Sequence, residues 1–264
     1  MIAALFAVSP EWSANFLFIF ARLSAAIVAI PVIGARTVPG PAKIGLAVVL
    51  SLIVLPLQQD ARLSAAATEA STNLLLFASR LGSEVLVGLV LGVAVSLVFA
   101  GLEMAATIVG VQIGFGIQGV LDPITGAQSS VLDQFYRLLV ALTFFAINGH
   151  HLVIQGLLHS FDIIPPGGAD ISLIAGERVA PFFTALLNVA VRIALPVTGA
   201  LMLTDLAMGL AARTTPQMNV LIVGFPAKIG VGLLVLTAST PLAAAFIATV
   251  FGQALPEMNG FLRP

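Results

Sequence analysis

The chain has 264 residues, of which 59% are hydrophobic and only 9% charged, and its mean hydropathy is +1.10. A soluble domain usually carries about 25% charged residues, so this composition excludes a water-solvated globule of the same size and points to an integral membrane protein. The net charge of −1 argues against a nucleic-acid groove, which needs a concentrated basic field, and the 0 cysteines exclude disulfides, iron–sulfur clusters and thiolate metal sites.

The opening Met1-Ile2-Ala3-Ala4-Leu5-Phe6 lacks the basic stretch of a cleaved signal peptide. The first apolar run is therefore expected to remain in the mature fold. A spanning helix needs roughly 20 mostly apolar residues. In chain order the candidates are Ala14–Ile33, the shorter Ala42–Leu57 after a tight Pro/Gly turn, Leu74–Ala100, Leu132–Leu158, Pro181–Leu203 and Val220–Phe251. An open sheet would leave backbone groups unpaired in lipid, and the runs lack the alternation of a barrel. The expected fold is all-α and polytopic, with these six hydrophobic helices arranged as hairpins.

Three of the connections between the runs stand out. Gln58–Asn73 has ordinary loop composition, and Asp162–Gly176 contains Pro165-Pro166-Gly167-Gly168, which reads as an exposed turn. The third, Gly101–Val131, is rich in Gly and Gln. The words Ala35-Arg36-Thr37-Val38-Pro39 and Pro41-Ala42-Lys43-Ile44-Gly45, between the first two apolar runs, are echoed later in the chain. Ala212-Arg213-Thr214-Thr215-Pro216 and Pro226-Ala227-Lys228-Ile229-Gly230 repeat the same order between two later helices. Lys and Arg placement puts the loops of Arg36, Lys43, Arg213 and Lys228 on one side, and Arg62, Arg80, Arg178 and Arg263 on the other. By the positive-inside rule this slight bias places both termini outside the cytoplasm.

Charges inside apolar runs are expensive in a bilayer and normally face protein or water. Arg22 lies in the middle of the first run, Glu84 and Glu103 flank the third, and Arg192 and Asp205 lie in or at the end of the fifth. Arg192 and Asp205 are about 20 Å apart along one continuous helix, so Arg192 needs a partner on another helix or another chain. These charges read either as an ion or proton path or as buried subunit contacts. The second is preferred, because no Asp/Glu/His relay is visible. Gly88, Gly92, Ser96 and Ala100 form a small-residue stripe suited to close helix packing.

Gly114-Phe115-Gly116-Ile117-Gln118-Gly119 matches the letters of a dinucleotide fingerprint. The flanking strand, helix and downstream acid are missing, and Asp122-Pro123 follows at once. The stretch Gly110, Gln112, Gly114, Phe115, Gly116, Gln118 and Gly119 reads instead as a pliable loop that lines a cavity or constricts a pore. His150-His151 has no carboxylate spaced to complete a metal site, and no cofactor is expected. There is no P-loop, no H-E-x-x-H and no G-x-S-x-G, so nothing supports catalysis.

Several ordered stretches carry a resemblance. Phe20-Ala21-Arg22-Leu23-Ser24, Pro31 to Pro39 and Lys43-Ile44-Gly45-Leu46-Ala47 open the series. Asp122-Pro123-Ile124-Thr125-Gly126-Ala127-Gln128 and Asn148-Gly149-His150-His151 continue it. Asp205 to Arg213, Pro216 to Val220 and Gly224 to Gly230 complete it. The set resembles the FliR/SctT family of type III secretion export-gate subunits across nearly the whole chain. The resemblance implies a gate subunit of the bacterial inner membrane and flagellar basal body, joined to P-type and Q-type subunits and to the B-type export subunit, and passing unfolded export substrates. It implies a P-like part over residues 1–165 and a Q-like helical hairpin over residues 177–264, with a plug-like loop at Gly110–Gly119. The alternatives are the homologous subunit of a virulence secretion system and a secondary transporter for a small solute, the latter suggested by the echo and the buried charges.

Overall fold

The computed structural model describes residues 10–35, 37–58, 73–114, 131–169, 180–215, 217 and 219–262. Among them all regular structure is helical. The helices are α1 (Pro10–Ala29), α2 (Gly40–Val54, prolonged by a 3-10 turn at Leu55–Leu57), α3 (Leu74–Ile113), α4 (Val131–Ala146), α5 (Gly149–Ile163), α6 (Ala180–Thr214) and α7 (Val220–Leu262). Five helices are long and apolar enough to cross a membrane, or six if the bent pair α4–α5 counts as one span. The all-α, polytopic expectation and its count of about six are met.

Local chemistry explains the ends. Gly34 closes the turn after α1 with its N–H 2.6 Å from the Ile30 carbonyl. A Cβ there would run into the Val28 carbonyl, so glycine is required. The Lys43 ammonium, in the first turn of α2, donates to the Gly34 carbonyl at 2.7 Å and fixes the α1–α2 hairpin. Asn73 caps α3 by accepting the N–H groups of Leu75 and Leu76 at 3.0 and 3.4 Å.

Three expectations need correction. First, α3 does not stop near Ala100 but runs 40 residues to Ile113. Leu102, Ala105, Ala106, Val109 and Ile113 recur at helical spacing and are fully buried, so packing keeps the glycine-bearing stretch helical. Gly101 is a close-packing residue, because a Cβ would meet the Leu186 carbonyl at 2.8 Å. Second, the run Leu132–Leu158 is two helices. Asn148 adopts φ 56°, a left-handed conformation that asparagine tolerates, and its N–H bonds the Phe145 carbonyl. Third, the Pro165–Gly168 turn is not simply exposed: Pro166 and Gly167 are buried, and only Gly168 faces outward.

By compactness the chain divides into two units. The first comprises Met1–Ser96, His150–Pro181 and Gln253–Pro264, the second Leu97–Gly149 and Phe182–Gly252. In the first, Gly88 and Gly92 of α3 lie directly against α1. A Cβ at Gly88 would strike the Arg22 carbonyl, and one at Gly92 would meet the Ala26 carbonyl at 2.7 Å. Gly88 and Gly92 of the small-residue stripe thus pack two helices of the same chain, and Phe18, Leu23, Ile27 and Leu91 of these helices are fully buried. In the second unit, the rings of Phe99, Phe144 and Phe251 meet pairwise with centroids 5.1–5.6 Å apart. Ile113 and Leu201 fill the space beside Gly232.

Candidate functional site: polar clusters among apolar helices

The first cluster lies in the first unit. Arg22 and Glu84 are both fully buried, with Arg22 Nε 2.6 Å from Glu84 Oε2. The other carboxylate oxygen, Oε1, accepts the Gly167 N–H at 2.8 Å. That N–H is aimed by the turn: Gly167 has φ 76°, and Gly168 donates to the Pro165 carbonyl at 2.9 Å, the arrangement of a type II turn with Pro166 at its second position. Arg22 Nη1 donates to the Ser160 carbonyl at 3.1 Å and the Ile164 carbonyl at 2.9 Å. These are carbonyls at the end of α5, where a helix leaves acceptors unsatisfied and favours a cation. The guanidinium also sits 4.3 Å from the Phe161 ring centroid. One ion pair therefore joins α1, α3, the end of α5 and the following turn.

The second cluster lies in the second unit, at the end of α3. Asp205 of α6 pairs with Lys228 of α7 at 2.6 Å. Gln112, in the last turn of α3, donates to the other Asp205 oxygen at 3.4 Å. Gly114 follows with φ 109°, and a Cβ on it would press the Phe225 ring at 2.9 Å. The last turn of α3 is thus tied to both α6 and α7 immediately before the rest of the glycine stretch. Gly110 and Ile113 are buried in the same turn. Phe115, Gly116, Gln118 and Gly119 lie outside the described residues, as do Asp122, Pro123 and Arg36.

The remaining charges are placed as follows. Glu103 of α3 faces Arg137 of α4 at 3.8 Å, with both side chains half exposed. Arg213 is exposed in the last turn of α6, where a cation complements the helix dipole. Arg192 and Asp205 share α6 and do not pair. The Arg192 guanidinium lies 5.6 Å from the Phe246 ring centroid. The two echoed lysines have different surroundings: Lys43 reaches a backbone carbonyl, and Lys228 reaches a carboxylate. Among the described residues no group of three or more His, Asp or Glu side chains is placed to hold a metal ion.

Sequence reasoning named Arg22, Glu84, Asp205 and Lys228 but not their pairing. It also missed Ser160, Phe161 and Gly167. The partners are 62 residues apart for Arg22 and Glu84, and 83 for Glu84 and Gly167, so no spacing rule connects them. The only local signal was the Pro-Pro-Gly-Gly turn itself.

Comparison with known proteins gives a consistent picture. Residues 13–254 match the family described as bacterial export proteins, family 1. The chain is similar to the flagellar biosynthetic protein FliR of Bacillus subtilis (strain 168), at 34% identity over 94% of each chain. It is 30% identical to the protein of the same name from Pectobacterium carotovorum subsp. carotovorum, over 92% of this chain and 90% of the relative. The corresponding protein of Escherichia coli (strain K12) is 28% identical over the same shares. By this near full-length match the chain belongs to the bacterial export proteins of family 1, the family that includes the flagellar biosynthetic proteins FliR.

Proposed function

We propose that this chain is a non-enzymatic subunit of the flagellar protein-export apparatus, and that with P-type and Q-type subunits it forms the gate through which unfolded export substrates cross the cell membrane. The observation that carries this reading is the length of the uncovered apolar faces. The windows Phe183–Thr214 and Ile222–Gln253 are 32 residues each, and only 33% and 22% of their residues are buried within the chain. Each window is about 48 Å long, against a hydrocarbon thickness of about 30 Å. A tilt of about 40°, the upper end of the usual range, still leaves roughly 37 Å. Lipid tails cannot cover that length, and neighbouring protein can.

In this reading residues 1–165 act as the P-like part, and residues 177–264, with α6 and α7, as the Q-like hairpin. The B-type export subunit would meet the same assembly at the basal body. Gly114, Phe115, Gly116, Gln118 and Gly119 would close the channel at rest, on a base formed by the helical turn of Gly110 and Gln112. The flagellar names of the similar proteins favour the flagellar branch over the virulence branch. Deleting the coding sequence should abolish swimming and the export of flagellar substrates, and restoring the intact chain should recover both. Normal flagella in the deletion strain would refute the assignment.

A further inference from the structure

We infer that the notch between α6 and α7 at Arg192 receives an acidic side chain from a neighbouring protein chain. The notch is a cavity of about 210 Å³, with Arg192, Ile193 and Pro196 on one wall and Ser239, Leu242 and Phe246 on the other. Pro196 lies inside α6 and has no N–H to give to the Arg192 carbonyl one turn earlier. The wall is therefore interrupted at the residue that carries the charge.

Charge bookkeeping within the second unit singles out this arginine. Two carboxylates there whose side chains are described are engaged elsewhere, Glu103 with Arg137 and Asp205 with Lys228. Among the described residues, Arg192 meets only the Phe246 ring, 5.6 Å away. A ring face engages the guanidinium plane but leaves its N–H groups, which lie in that plane, without acceptors. Around it Val191, Leu195 and Leu242 are 50%, 62% and 67% exposed, so the cation sits in an apolar wall. Such a cation normally pairs, and the planar fork of arginine suits a carboxylate. A protein donor is favoured over a lipid phosphate because these helix faces outrun the bilayer, as argued above. The inference rests on the reading of the chain as one subunit of a larger assembly.

The test uses the full chain at its native locus, with Arg192→Lys, Arg192→Gln and Arg192→Glu, and a photo-crosslinking residue at Leu242. Recovery of the other membrane subunits in mild detergent and swimming are measured together. Arg192→Glu should cut subunit recovery by about tenfold or more, Arg192→Gln less, and Arg192→Lys least. Suppressors of Arg192→Glu should change an Asp or Glu of another protein to a neutral or basic residue, and the crosslink should fall on that same protein. Wild-type recovery and swimming with Arg192→Glu would overturn the inference. So would crosslinks to phospholipid alone, or suppressors confined to this chain. If Arg192→Glu does not reach the membrane, Arg192→Gln and the crosslink decide by the same criteria. If the unmodified chain brings down no other subunit, the underlying reading fails and the inference falls with it. An indifferent Arg192→Glu in an intact assembly removes the inference alone.

Discussion

The Lys228 ammonium lies 2.6 Å from the Asp205 carboxylate, and this pair holds α7 to α6 at the point where α3 ends. Gln112 shares the same carboxylate at 3.4 Å, so the base of the glycine stretch is anchored by a link that is half exposed. The Arg22–Glu84 pair differs in kind. It is fully buried, is backed by the Ile164 carbonyl and the Gly167 N–H, and belongs to the scaffold. The first arrangement is cheap to break and suits a part that moves. The second is expensive to break and suits a part that does not.

The half-exposed pair should be separable by charge reversal. Asp205→Lys alone and Lys228→Asp alone are each expected to raise ion leakage through the membrane, and the double exchange should recover most of the loss. An exposed pair contributes about 0.2–1 kcal/mol, so chain abundance should stay near normal in all three. Leakage measured in growing cells, with chain abundance measured alongside, checks this. Equal leakage in the single and double variants would argue against the pairing.

The buried pair should behave as a structural unit. Glu84→Gln or Arg22→Met leaves an uncompensated group in the core, which typically costs about 3–5 kcal/mol. The expected outcome is a chain that is degraded in cells and melts early in detergent. Arg22→Met with Glu84→Met should be less damaging than the sum of the two single changes, because neither charge is then left alone. Thermal unfolding in detergent reads the difference.

Steric necessity separates glycines that look alike in sequence. A Cβ at Gly88 would strike the Arg22 carbonyl, whereas one at Gly82 meets nothing within 4 Å. Gly88→Ala should therefore lower stability by about 1–3 kcal/mol. Gly82→Ala should be neutral or slightly stabilising, through better helix propensity. Comparing their melting temperatures is sufficient, and a similar loss in both would contradict the packing of α3 on α1.

Much of this architecture was legible from residue types alone. Lipid and buried protein both demand helices, so the six apolar runs by themselves declare an all-helical fold. Helix ends were less legible. Gly110 and Gln112 read as loop residues because propensity and polarity are local, yet the buried Leu102, Ala106, Val109 and Ile113 carry the helix past them. The break at Asn148 was hidden inside a continuous apolar run, because one left-handed residue is enough to make it. Arg22 advertised its need for a partner, but Glu84 is 62 residues away, and only the approach of α3 to α1 through Gly88 and Gly92 brings it there.

Gly114 offers a direct probe of the proposed closing role of the glycine stretch. Its φ of 109° is unfavourable for any residue with a Cβ, and Phe225 occupies the space a Cβ would need. Gly114→Ala should shift the base of the glycine stretch at a cost of about 1–3 kcal/mol. It should alter leakage or export while leaving assembly intact. Adding Phe225→Ala should relieve the steric part of that cost. Unchanged leakage and export in Gly114→Ala would count against a closing role.

On the proposed function, the long apolar faces of α6 and α7 are covered by other protein chains. Native mass spectrometry of the complex, extracted gently from flagellated cells through a tag on this chain, measures that directly. The expected masses are those of this chain together with different, small, P-type and Q-type membrane subunits. A homogeneous species built from this chain alone, stable in detergent and able to carry a small solute after reconstitution, would contradict it.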